Sequence, residues 1–175
     1  MSPYENPSSA GGSQESKKEK EAEKEEEIVL RFLDQGYPML ENKEPKKRYS
    51  GLTRVSGALR MCKLDSTRRE IALKVTPLIA DKYREVEHYA TQILFRAIEE
   101  IKDDKEREVI VPEIKSFESG NDEEALFTAS LAMGHIANNF KDEKLKEKYN
   151  KQYEEMREVD KKRYAEMEHK EKLEM

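Results

Sequence analysis

Apolar residues recur through the middle of the chain at helical spacing. Between Thr76 and Lys102 they fall at Ile79, Tyr83, Val86, Ala90, Ile93, Ala97 and Ile101, alternately four and three apart, with Leu78, Leu94 and Ile98 widening the stripe. Such spacing buries one face of a helix and predicts the longest helix of the chain here. Thr76 and Pro77 mark its start: a Thr oxygen accepts an orphan amide, and proline at the first helical position lacks only an N–H that had no partner. A second segment, Ala125 to Ala137, is apolar over more than half its circumference and predicts a buried helix reaching about Asn138. Asn121 and Glu124 form its expected capping pair, with Asp122 and Glu123 at the positive end of the dipole. Its alanines and Gly134 suit close approach of a neighbouring helix.

Upstream, Leu52, Val55, Leu59 and Cys62 share one arc of a helix predicted from about Leu52 to Lys63 with Ser50 as its cap, and Arg54 and Arg60 fall outside that arc. Gly57 costs this helix about 1 kcal/mol relative to Ala, which predicts close approach of another backbone or a ligand. Ile28 to Leu33 is a dense apolar patch expected to dock as a short helix, after which Gly36, Pro38 and Pro45 break the chain into turns. Leu64 to Glu70 reads as a linker. Val109 to Phe117 suits either an extended segment or a turn and helix. From Lys141 onward the chain is helix-prone, with Glu147 and Lys151, Glu158 and Lys162, Glu166 and Lys170, and Glu168 and Lys172 paired four apart. Its stripe of Leu145, Tyr149, Tyr153, Met156, Val159, Tyr164 and Met167 is thin, and suits resting on a surface better than a dimeric zipper.

The fold class expected is all-α: a small helical bundle over residues 28–140, a disordered N-terminal tail over residues 1–27, and a long charged C-terminal helix over residues 141–175. Composition agrees, because 35% apolar and 41% charged residues in 175 leave a modest core with long solvated ends. Mixed Lys and Glu without Trp is also the composition of many thermophile proteins. Cys62 is the single cysteine, so no internal disulfide forms; it reads as a small buried hydrophobe in a reducing, cytoplasmic compartment. No window approaches the roughly eighteen apolar residues of a membrane span.

Candidate chemistry is sparse. His88 and His169 each end a Glu-x-x-His, with Glu85 and Glu166, the ligand spacing of di-iron bundles. Glu85 and His88 lie off the apolar stripe, however, and the second pair sits in the polar tail, so no metal site and no cofactor are expected. His135, among small apolar residues, reads as a half-buried structural histidine. No nucleophile constellation, phosphate-cradling glycine loop or zinc-type cysteine spacing occurs, and an enzyme is not expected.

Charge distribution carries the one functional signal. The chain has 33 basic and 38 acidic residues, net −5. Yet Lys46, Lys47, Arg48, Arg54, Arg60, Lys63, Arg68, Arg69 and Lys74 face only Asp65 and Glu70 in their stretch, nine cations against two acids. A solvated, salt-bridged surface explains this as well as a nucleic-acid interface does. In the latter reading the cations meet phosphates and Tyr49 offers a stacking surface.

Two resemblances bear on that choice. Ser50 to Arg60 (SGLTRVSGALR) and Glu85 to Ile98 (EVEHYATQILFRAI) resemble the first two helices of the small helical subunit of type III-A CRISPR effector complexes, and Glu124 to Phe140 stands for its last, with HIANNF replacing the usual aromatic ending. That resemblance implies a non-catalytic subunit of a ribonucleoprotein for antiviral defence, contacting crRNA and target RNA beside other protein subunits. The segment KVTPLIADKYREV through Ile114 is similar to the central helix and second loop of archaeal histones, with Arg107 as the loop arginine and Ile114 where its acid partner normally stands. This implies DNA binding through the same basic segment. A helical adaptor that binds only protein is the third expectation.

Overall fold

The computed structural model describes residues 12–174 of the backbone and residues 21–169 in side-chain detail, and among these residues it is helical with no strand. The elements are α1 (Gly12–Leu40), α2 (Pro45–Met61), α3 (Asp65–Val75), a 3-10 turn (Thr76–Ala80), α4 (Arg84–Glu100), α5 (Asp104–Glu108), α6 (Val111–Lys115), a second 3-10 turn (Ser116–Ser119), α7 (Glu123–Asn139) and α8 (Glu143–Glu174).

The chain repeats itself every 39 residues. α2, α4 and α7 each have 17 residues, and each begins 39 residues after the last. Each ends on an apolar residue in extended conformation, Cys62, Ile101 and Phe140, with ψ of 131°, 129° and 138°. A lysine and one further residue then lead into the next helix, whose first residue is acidic (Asp65, Asp104, Glu143) and whose fourth is basic (Arg68, Arg107, Lys146). The turn needs no left-handed residue, and no described residue has a positive φ. The unit is a 17-residue leading helix and a tight turn into a trailing helix of unequal length, 11 residues in α3, 5 in α5 and 32 in α8, an arrangement like that of helical repeat arrays.

The joint between units is a carboxylate. Asp65 accepts hydrogen bonds from the amides of Lys102 (2.7 Å) and Asp103 (2.8 Å), in the turn of the second unit. Asp104 accepts from Lys141 (3.0 Å) and Asp142 (3.0 Å), in the turn of the third. The basic residue of each motif closes its own turn: Arg68 donates to Asp65 (2.7 Å) and the Cys62 carbonyl (2.7 Å), and Arg107 donates to Asp104 (2.6 Å) and the Ile101 carbonyl. Arg107 is 2% exposed; burial pulls its guanidinium below the ordinary value, and Asp104 opposes that pull. Glu143 holds the same position in the last unit, and its side chain is 84% exposed.

Apolar positions recur with the unit. Val55, Leu94 and Met133, then Leu59, Ile98 and Ala137, are fully buried at equivalent places, and α4 packs against α2, α3 and α7 in one continuous core. The array is closed at both ends. α1 lies on α2 through a glycine crossing: a Cβ at Gly51 would stand 2.9 Å from the Gly36 carbonyl, and one at Gly36 would stand 3.1 Å from the Gly51 carbonyl. α8 lies on α7 through Tyr149 and Met156, with Leu145, Tyr153 and Val159 at the edge of the core, and its other side is polar. Tyr153 rests over Gly134, where an added Cβ would meet its ring at 3.2 Å.

Several expectations need correction. The longest helices are α8 and α1, not Thr76 to Lys102, which is a 3-10 turn followed by α4; the continuous central helix quoted for the histone likeness is therefore two elements. Tyr83 is the exposed residue before α4 rather than part of its stripe, because Asp81 leaves helical conformation to meet Arg48. Residues 1–11 of the expected tail lie outside the described residues. From Gly12 the backbone is helical, and Glu21 to Ile28 are all exposed, with Glu25 paired to Lys63. Gly36 and Pro38 lie within α1, Pro45 opens α2, Leu64 to Glu70 is no linker but the cap and first half of α3, and Ser50 lies inside α2. A Cβ at Gly57 would face open space, with no other element within 4 Å; the close crossing is at Gly51. The cap of α7 is Asp122, which accepts from the amide of Ala125 (2.9 Å).

Candidate nucleic-acid interface

The ten residues of the basic segment divide by what their side chains touch. Arg48 is 9% exposed and grips Asp81 with two hydrogen bonds (2.6 and 2.9 Å) while donating to the carbonyls of Asn42 (2.7 Å) and Lys43 (3.0 Å). It ties the start of α2 to the loop before α4. Asp81 is held below its ordinary value: burial pushes it up, but hydrogen bonds from Arg48 and the Tyr83 amide and the Arg48 charge outweigh that. Arg68 is committed to the turn it closes, 3.7 Å from Glu100 as well, and Arg69 pairs with Glu106 on α5. All three arginines are engaged in ion pairs within the fold, partners that the basic stretch read alone does not reveal.

The rest lie nearer the surface. Lys63 pairs with Glu25 of α1, Lys47 with Glu44 (2.9 Å), and Lys74 sits over the Tyr37 ring at 5.9 Å. Arg54 donates to neutral Gln35. Lys46 and Arg60 are exposed, and Tyr49 is 43% exposed with its ring centroid 5.1 Å from that of Tyr89 on α4. Lys46, Lys47, Arg54 and Arg60 all belong to α2, which has five cations and no acid. Four of the cations nearer the surface therefore lie on one helix.

The repeat shows what a linear reading misses. The ring position of Tyr49 recurs as His88 and Phe127, 39 and 78 residues on, each exposed on the outer side of its leading helix. The residues one turn away on either side are Lys46 and Thr53, Glu85 and Gln92, and Glu124 and Leu131; all are exposed except half-buried Leu131. Neighbouring leading helices lie in equal register, because Tyr49 meets Tyr89 and Phe95 meets His135 (4.5 Å) at the same offset of 40 residues. An open groove of about 720 Å³ between α4, α7 and the far half of α8 is bordered by His88, Phe127 and Tyr164. Tyr164 is 58% exposed, and Arg157 lies over Phe127 at 5.4 Å.

The histidines have ordinary surroundings. His88 meets Gln92 (3.0 Å), and His135 is half-buried with Nδ1 3.2 Å from Glu99. No group of three metal-ligating side chains occurs among the described residues, and no described helix is long and apolar enough to cross a membrane. No protein-family model, curated protein or solved structure matches this chain.

Proposed function

We propose that this protein is a non-catalytic helical-repeat scaffold that contacts the backbone of nucleic acid, single-stranded RNA in particular, through the outer side of α2. The observation that carries the reading is a helix with five cations and no acid of its own: Lys46, Lys47, Arg54 and Arg60 lie toward its outer side, which also carries the exposed Tyr49, on a chain that is net acidic. Cations on a rigid helix release counterions from a phosphate backbone, and a flat ring accepts any base. Short capped arrays of this kind present surfaces to other macromolecules. That suits a subunit within a larger ribonucleoprotein, the role implied by the likeness to the small subunit of type III CRISPR complexes.

Fluorescence anisotropy with a labelled mixed-sequence RNA and with duplex DNA, across a salt series, tests the proposal. The expected result is RNA binding that weakens steeply with salt and exceeds duplex binding. Preference for duplex DNA would favour the histone-like alternative. Absence of any salt-dependent affinity would leave the protein-only adaptor, which the repeat architecture also supports.

A further inference from the structure

We infer that Tyr49, His88 and Phe127 form a stacking row that receives successive bases of one RNA strand laid across α2, α4 and α7, one ring per repeat. The inference rests on the proposal that the α2 face binds RNA, and extends it from a patch on one helix to the whole array. Three facts converge on it. The rings are repeat-equivalent and all exposed, each keeping open surface even where, as at Tyr49 beside Tyr89 and Phe127 beside Arg157, the ring also meets a neighbouring helix. The leading helices keep equal register, which lines the rings up across helices spaced by about 8–10 Å. The groove beside the second and third rings opens between His88, Phe127 and Tyr164, and Arg157 supplies a flat cation over Phe127.

Each ring has its own edge groups. Residues three before and four after it lie on the same outer ridge of the helix, one turn to either side. The first ring has Lys46 and Thr53, the second Glu85 and Gln92, and the third Glu124 and Leu131. Lysine beside the first ring suits a phosphate. Glutamate and glutamine beside the second offer an acceptor and an amide to a base edge, and the His88–Gln92 hydrogen bond holds the imidazole in place. Helical arrays that read RNA take one base per repeat with two or three side chains, the number each ring and its two neighbours provide here. The acids that accumulate toward α7 repel phosphates, so the strand is held electrostatically at α2 and by its bases further along.

The test uses the full chain, a labelled single-stranded RNA, and inorganic polyphosphate as a ligand without bases. Tyr49→Ala, His88→Ala and Phe127→Ala should each weaken RNA binding by roughly fivefold to more than a hundredfold, the range of one lost base stack. Polyphosphate binding should not change. Tyr83→Ala, an exposed ring off the row, should bind RNA as the wild type does. Leucine at the three positions keeps apolar area without a flat face and should behave as alanine does, with unchanged melting temperature. Wild-type RNA affinity in all three ring variants would overturn the row while leaving the α2 reading intact. Binding of neither RNA nor polyphosphate would overturn both. Capture of a basic peptide in place of RNA, abolished in the ring variants, would make the row a peptide site and overturn the inference.

Discussion

Removing the carboxylate that joins the second and third repeats should be among the most damaging single changes in this protein. Asp104 receives Arg107 Nη1 at 2.6 Å and the amides of Lys141 and Asp142 at 3.0 Å each, and Arg107 is only 2% exposed. In Asp104→Ala the guanidinium stays buried with its carbonyl partners but without its charge partner, a loss of about 3–5 kcal/mol. The equivalent change at Asp65 should be milder. The Arg68 side chain is 15% exposed and keeps Glu100 at 3.7 Å, so about 1.5–3 kcal/mol is expected, in the range of hydrogen bonds to a charged group. Glu143→Ala should stay within about 0.5 kcal/mol, since its side chain is 84% exposed and joins nothing beyond its own unit. Equilibrium urea unfolding followed by circular dichroism gives the three values, with an unchanged m-value showing that only stability moved. Equal losses at the three sites, or a large loss at Glu143, would refute the idea that these acids act as joints between units.

Gly51→Ala should destabilise by about 1–3 kcal/mol because its Cβ meets the Gly36 backbone, whereas Gly57→Ala, facing open space in mid-helix, should stabilise by up to about 1 kcal/mol; thermal melts separate the two. Arg48→Ala should cost about 3–5 kcal/mol by stranding buried Asp81, while Arg60→Ala should leave unfolding within about 0.5 kcal/mol of wild type. Asp65 is also held below its ordinary value of 3.8, burial being outweighed by hydrogen bonds from Arg68 and the amides of Lys102 and Asp103. Lowered folded-state values mean that the unfolded chain binds more protons, so the stability from Asp65 and Asp81 is complete well above pH 3.8 and is lost as pH falls through and below it. Urea midpoints measured from about pH 6 to about pH 2 should drop in that window, and Asp65→Asn with Asp81→Asn should flatten the drop.

Some of this structure is plain in the sequence, and the rest is hidden for identifiable reasons. α7 and the docking of α8 are legible because Leu126 to Ala137 is apolar over more than half its circumference and Tyr149 and Met156 keep helical spacing. The start of α4 is misleading because Ile79 and Tyr83 happen to continue the stripe of Val86 and Ala90, and nothing local reveals that Asp81 is taken by Arg48, 33 residues away. Arg48 and Arg69 look like surface cations because their partners Asp81 and Glu106 lie outside the basic stretch, and Arg68 does because its pairing with nearby Asp65 is part of a turn joint completed by Lys102 and Asp103, 37 and 38 residues on from Asp65. The repeat shows weakly, since the residues that recur, such as Lys63, Lys102 and Lys141 or Arg68 and Arg107, are common types in a chain that is 41% charged. Aligning the chain against itself at a 39-residue offset brings out the turn motif, and with it the equivalence of Tyr49, His88 and Phe127.

The outer face of α2 carries the proposed function, and the salt dependence of RNA binding by a variant of that face measures it directly. With Lys46, Lys47, Arg54 and Arg60 all replaced by Gln, the protein should melt as the wild type does and bind RNA more weakly. Its log–log salt slope should also be shallower by about 0.7 for each phosphate no longer neutralised. The same count of changes on α8, at Lys144, Lys151, Lys161 and Lys162, should leave affinity and slope unchanged. A wild-type slope in the α2 variant, or an equal weakening in the α8 variant, would contradict the proposal.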